Sequence, residues 1–240
     1  MHPFPSLLFP VVLATLIGGC LSPDAIAPHT NTLMVEGVDW KRSASGCLDP
    51  QRCAVVQVRY QHFTEEPRLT LLTERQLGRM LVSLTQPYVV LPNVGADTDT
   101  VDDSAGQYLA DSYAEGDVRL VSQVLRANER MIVMGLKGTL TGVPREASEM
   151  QYLVFDREQQ RLLDPAELML PGKLPAFQSR LAASTSEHGT TFFAALSAAP
   201  LEEGMGVKFR DPHEGTQFDQ VTLRYDELQD ILKSEYTAIN

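Results

Sequence analysis

The spacing of apolar residues changes character several times along the chain, and each change marks an element. Leu7-Leu8-Phe9-Pro10-Val11-Val12-Leu13-Ala14-Thr15-Leu16 is an apolar run, too short for a bilayer span of roughly 20 apolar residues. Residues 21–35 carry Pro23 and Pro28 without any period and read as a tether. Trp40, the single tryptophan, opens the folded region. Residues 54–63 (AVVQVRYQHF) are rich in β-formers, alternate at their end, and predict a strand. Thr73 and Gln76 have capping-box spacing, and Leu77, Met80, Leu81 and Leu84 then share one helical face up to Pro87. Residues 88–101 read as a turn-rich connection. A second helix is expected over 102–115, burying Ala105, Tyr108, Leu109 and Ser112 and ending at Gly116.

From Asp117 onward the period shortens. Residues 118–127 and 130–140 predict two strands joined at Asn128-Glu129, and 151–156 a third strand turning near Arg157-Glu158. Asp164 caps a helical turn with Pro165 in its first position. A further helix and a small-residue segment fill 172–199. Residues 205–210 and 220–224 read as closing strands, and Asp226 caps a last helix carrying Leu228, Ile231 and Leu232. Helices and strands mix without strict alternation. The expected class is therefore α+β, with a mainly antiparallel sheet and helices packed on one face. No internal repeat is present.

The small residues Gly18 and Gly19 ahead of Cys20 change the meaning of the first apolar run. Ile17-Gly18-Gly19-Cys20 resembles the bacterial lipobox, in which the thiol after the small residues accepts a diacylglycerol. On this reading residues 1–19 are a removable signal peptide, 20–35 the lipidated Cys20 and its tether, and 36–240 a single domain. The resemblance implies a triacylated Cys20, a stable anchor because each buried methylene contributes about 0.8 kcal/mol. The first six residues hold no Lys or Arg. An ordinary secretory signal with an incidental cysteine, or an uncleaved anchor, are the alternatives. Leu21, rather than Asp, follows Cys20 and favours an outer membrane destination facing the periplasm.

Residues 1–19 contain no Asp, Glu, Lys or Arg, so the remainder carries the whole formal net charge of −11. That balance argues against nucleic acid and against docking on anionic headgroups, and it favours a cationic partner. Cys47 and Cys53 flank Asp49-Pro50 turn chemistry. An even pair in an exported protein reads as a disulfide, worth about 2 kcal/mol for so short a loop. The alternative is a redox or metal role, which the spacing and the absence of a histidine cluster disfavour.

Several segments resemble the RsiV-like extracytoplasmic domain family. They are Gln151 through Asp156 with Arg161-Leu162-Leu163-Asp164-Pro165-Ala166-Glu167-Leu168, the strand Gly204-Met205-Gly206-Val207-Lys208-Phe209, and the closing Val221-Thr222-Leu223-Arg224-Tyr225-Asp226-Glu227-Leu228. The resemblance runs over about residues 50–235. It implies a non-catalytic module facing the cell wall, with a lysozyme-like protein or peptidoglycan as partner and no cofactor. Family members often carry a Gly-Gly-Ala-His segment before the Phe-Asp strand, where this chain reads Thr141-Gly142-Val143-Pro144-Arg145-Glu146-Ala147-Ser148.

Catalytic groups are sparse. His29, His62, His188 and His213 follow the signal, and none has HExxH spacing. Ser184, Ser186 and His188 lack a nucleophile elbow. Asp211, His213 and Glu214 form the richest local cluster and the candidate binding loop, against a plain polar turn as the alternative. The acidic run from Asp97 to Asp103 spaces carboxylates as a calcium loop does, yet it lacks the central glycine and distal glutamate of an EF-hand. Carboxylates at a helix start explain it as well. No metal site and no enzyme are expected. An envelope hydrolase and a structural assembly lipoprotein are the other classes in view.

Overall fold

We describe the protein from a computed structural model, which places residues 33–45, 53–86, 100–185, 195–210 and 218–237. Alternation of small β-branched and polar residues makes β2 (Val55–Phe63) a strand with Val56, Val58, Tyr60 and Phe63 on its covered side. Its antiparallel neighbour β1 (Val35–Ser43) is a largely exposed edge strand, with Trp40 opposite Val58. Trp40 and the five residues before it, from Val35, therefore belong to a sheet. The next strand in space, β3 (Asp117–Ala127), runs parallel to β2. A parallel neighbour requires a crossover, here supplied by α1 (Pro67–Thr85) and α2 (Val101–Ala110). β4 (Met131–Thr141), β5 (Ala147–Asp156) and the two-residue β6 (Arg161–Leu162) follow antiparallel, giving a six-stranded sheet in sequence order.

α1 begins at Pro67, six residues before the expected Thr73. Pro67 occupies the first turn, where its missing N–H costs nothing. Thr70 Oγ1 accepts the Phe63 amide at 2.9 Å, and Leu69 is fully buried, so tertiary contacts extend the helix toward β2. Thr73 lies buried within the helix rather than capping it. α2 starts with a capping box between Thr100 and Asp103, whose carboxyl the Thr100 hydroxyl and amide hold below its usual range. It ends at Ala110 rather than at Gly116, which has φ +81° and leads into β3. The Asn128 carboxamide accepts the Arg130 and Met131 amides at 3.0 and 2.8 Å, closing the expected β3–β4 hairpin.

The sheet has a core on each side. On one, Ile132, Met134, Leu153 and Phe155 meet Leu77, Met80, Leu81 and Tyr108 of α1 and α2. On the other, Met131, Val133, Tyr152 and Val154 meet a second, three-stranded antiparallel sheet. It comprises β7 (Ala195–Pro200), β8 (Gly204–Arg210) and β9 (Phe218–Arg224), with α3 (Leu174–Thr185) contributing Phe177 and Leu181. The class is α+β with mainly antiparallel pairing, as expected. A second sheet and α3 cover the face opposite α1 and α2. Asp164 caps a 3-10 turn, Pro165–Leu168, by a capping box with Glu167. Asp226 heads no helix. It lies in a 3-10 turn, Tyr225–Glu227, and pairs with Arg224 at 3.0 Å, while Leu228, Ile231 and Leu232 are buried ahead of the short α4 (Ser234–Thr237).

Candidate functional groove

One half of the large sheet is covered by β7–β9, and the other presents alternate residues of β3 and β4 outward. Arg119, Val121, Gln123, Lys137 and Thr139 come from this outward set. A bulge in β3 between Val124 and Arg126 turns Leu125 and Arg126 to the same side. A Cβ on Gly135 would come within 3.0 Å of Leu125, so glycine leaves room for that side chain over β4. Leu125, Met150 and Tyr152 then contribute apolar surface beneath the turn between β7 and β8. The result is an open groove of about 690 Å³, inside the size range of small-ligand sites, roughly 300–1,000 Å³.

The turn forming the far wall is firmly held. The Leu201 amide donates to Gly204 carbonyl at 2.8 Å, leaving Glu202 and Glu203 at the tip. The Leu201 carbonyl accepts the Tyr225 hydroxyl at 2.5 Å and Arg126 Nη1 at 3.3 Å. Arg126 is buried on the bulge and also donates to the Tyr225 hydroxyl and the Tyr236 carbonyl. Burial pushes the Tyr225 hydroxyl pKa up, keeping it a neutral donor. Below the groove, buried Lys208 donates to Gln220 Oε1, and its ammonium lies 5.7 Å from the Tyr152 ring centroid. Gln220 and Thr222 of β9 complete the lining.

None of the described residues lining the groove was among the candidates expected from sequence. Cys20, Cys47, and the loop residues Asp211, His213 and Glu214 lie outside the described residues, as do His29, His188 and Asp97. Cys53 stands two residues before β2 and is disulfide-bonded. His62 sits in β2, away from the groove, with Nδ1 buried and without a hydrogen-bond partner among the described residues. Asp102 is in the first turn of α2 and pairs with Arg42 at 2.6 Å. No group of three or more His, Cys, Asp or Glu side chains suited to a metal occurs among the described residues, nor does a helix there have the length and apolarity to cross a membrane. Sequence reasoning missed the groove because its residues come from four strands and one turn. The available signal was the outward alternation of Arg119, Val121, Gln123 with Lys137 and Thr139.

An α+β scaffold with a six-stranded sheet, a helical crossover on one face and a small sheet on the other is shared with solved structures. A DUF3298 family protein from Pseudomonas aeruginosa PAO1 superposes with a TM-score of 0.68 at 18% identity, over 87% of this chain and 98% of its own. A DUF3298 family member from Bacteroides fragilis NCTC 9343 gives 0.57 at 10% identity, over 85% and 94%. These likenesses establish a common fold, and RsiV-like domains are related to DUF3298. No protein-family model and no curated protein sequence matches the chain.

Proposed function

We propose that this chain is a lipid-anchored envelope protein of the RsiV-like kind, whose domain binds a cell-wall ligand without transforming it. The observation that carries this reading is the groove: amide, hydroxyl and charged groups of both signs over an apolar floor, on a rigid sheet. Ile17-Gly18-Gly19-Cys20 supplies the anchor, with Leu21 directing the protein to the outer membrane, facing the periplasm. Cys47 is the proposed partner of Cys53. That bond would close the connection between β1 and β2, which pair Ser43 with Val55.

Peptidoglycan is the favoured ligand. The full chain in detergent is expected to co-sediment with purified sacculi and to release no soluble fragments from them. Failure to pellet would sink the wall-binding reading, and release of fragments would make the protein a hydrolase. Intact-mass analysis should show acyl addition at Cys20 that Cys20→Ser abolishes.

The net charge of −11 favours a second reading, a cationic protein such as a lysozyme. Long-range attraction raises the on-rate of such complexes at low ionic strength. Binding to lysozyme that weakens steeply with salt supports it, and no binding at low salt removes it.

A further inference from the structure

Most cations of this acidic chain are already engaged among the described residues. Arg59 pairs with Asp39, Arg157 with Glu66, Arg161 with Glu167, and Arg180 with Asp230. Arg119 and Lys137, like Lys41 and Arg68, are exposed and make no ion pair or side-chain hydrogen bond among the described residues, but unlike those two they line the groove. They stand on the same face of adjacent strands. Arg119 is opposite Thr139, and Lys137 is two positions along, a diagonal spacing of roughly 7–8 Å. Glu202 and Glu203, across the groove, are equally exposed and equally without cationic partners among the described residues. The turn that carries them is fixed through the Leu201 carbonyl, so both signs of charge line one groove without pairing among the described residues.

We propose that the groove takes a short zwitterionic peptide, with its carboxylates on Arg119 and Lys137 and its ammonium on Glu202 and Glu203. This deepens the reading of the groove as a wall-binding surface and rests on it. An anionic headgroup or free phosphate would meet the two carboxylates of the far wall, and a neutral glycan would leave both pairs of charges unused. A peptide satisfies both walls at once. Its amides match Gln123, Gln220, Thr139 and Thr222, and its aliphatic side chains match the floor of Leu125 and Met150. The charges are exposed, so each pair contributes modestly and affinity comes from several contacts together.

The test is calorimetric titration of the full chain in detergent with the free tetrapeptide Ala-Glu-Lys-Ala. Its fully blocked analogue, acetylated at the terminus and lysine and amidated at both carboxyls, is the control. The free peptide is expected to bind at about 1 mM or tighter and the control not to bind. Arg119→Ala with Lys137→Ala, and separately Glu202→Gln with Glu203→Gln, should each weaken binding by about tenfold or more. All four positions are exposed, and unchanged circular dichroism and urea midpoints will show the variants folded. No binding of the free peptide, or equal binding by all variants, overturns the proposal. Sacculi separate this failure from that of the wider reading. If they pellet wild type and charge variants alike, the zwitterion assignment falls while wall binding stands. If the peptide binds by the charged walls but sacculi do not pellet the protein, wall binding falls while the peptide site stands.

Discussion

Replacing Glu66 by alanine should destabilise the protein by about 3 kcal/mol, although Glu66 is a charged side chain outside both hydrophobic clusters. Its carboxylate receives Arg157 Nε at 2.8 Å on one oxygen and Gln160 Nε2 at 2.7 Å on the other. Arg157 also donates through Nη1 to the Asn128 carbonyl at 3.1 Å, and its backbone amide bonds the Arg130 carbonyl at 2.8 Å. Three separate pieces of chain meet there: the start of α1, the β3–β4 hairpin and the turn after β5. The side chains are 7% and 18% exposed for Glu66 and Arg157. Breaking a buried pair by removing one partner costs about 3–5 kcal/mol because the other charge stays desolvated. Partial access of water to Arg157 sets the lower end of that range. Glu66→Gln keeps an acceptor for Arg157 and should cost about 1–2 kcal/mol. Urea unfolding followed by circular dichroism measures these losses. The double variant Glu66→Ala with Arg157→Ala should lose less than the summed single losses, by about 2 kcal/mol. Sodium chloride at high concentration should leave the Glu66→Ala cost nearly unchanged, because salt screens a buried pair weakly. A loss below about 0.5 kcal/mol, typical of ordinary surface substitutions, would refute the reasoning.

Three further outcomes follow from the same structure. The Arg161 guanidinium and the Asp164 amide hold the Glu167 carboxyl down at about 2, against an ordinary value of 4.5. A depressed carboxyl stabilises fully above its unfolded pKa and loses that contribution as pH falls through its folded value. The urea midpoint advantage over Glu167→Gln should therefore be flat above about pH 4.5, shrink down to about pH 2, and an unchanged difference across that window would refute the assignment. Gly116→Ala places a Cβ 2.5 Å from the Thr141 carbonyl oxygen at φ +81° and should cost at least about 2 kcal/mol, whereas Gly172→Ala at φ +76° meets open space and should cost only about 1 kcal/mol in the same urea assay. Arg126→Leu strips donors from the Leu201 and Tyr236 carbonyls and should cost about 2 kcal/mol in urea, with peptide binding weakened as the Glu202–Glu203 turn loosens.

Local periodicity carried the element order a long way, and its failures have identifiable causes. The β3–β4 hairpin was legible because Asn128 has the chemistry to close it and both strands alternate. β1 gave no such signal. It is an edge strand whose exposed positions, on both faces, include Glu36, Asp39, Lys41 and Arg42, charges that suit an exposed edge and hide the strand. Thr73 offered a capping-box pattern in a segment that was already helical. The competing start at Pro67 prevails because Leu69 and Thr70 are buried against β2, a contact with no trace in local spacing. The parallel pairing of β2 with β3 spans α1 and α2, and strands of the second sheet look no different in sequence from those of the first.

The groove was harder to read for a further reason. A sequence motif signals chemistry when one segment holds the reacting groups, and that logic drew attention to Asp211, His213 and Glu214. Here Arg119 and Lys137 come from neighbouring strands, and Glu202 and Glu203 from a turn more than sixty residues later. Each is ordinary where it stands: an outward strand residue, or an acidic turn tip. Their meaning arises from two structural devices that bring opposite charges to one groove. The β3 bulge turns Arg126 under the β7–β8 turn, and the Leu201 carbonyl is fixed there by that guanidinium and by Tyr225. In water, flexible side chains of opposite sign within reach pair readily at little net gain. Four such groups line one groove without ion pairs among the described residues, beneath a turn fixed through the Leu201 carbonyl. A ligand carrying both signs is the chemistry that this arrangement fits.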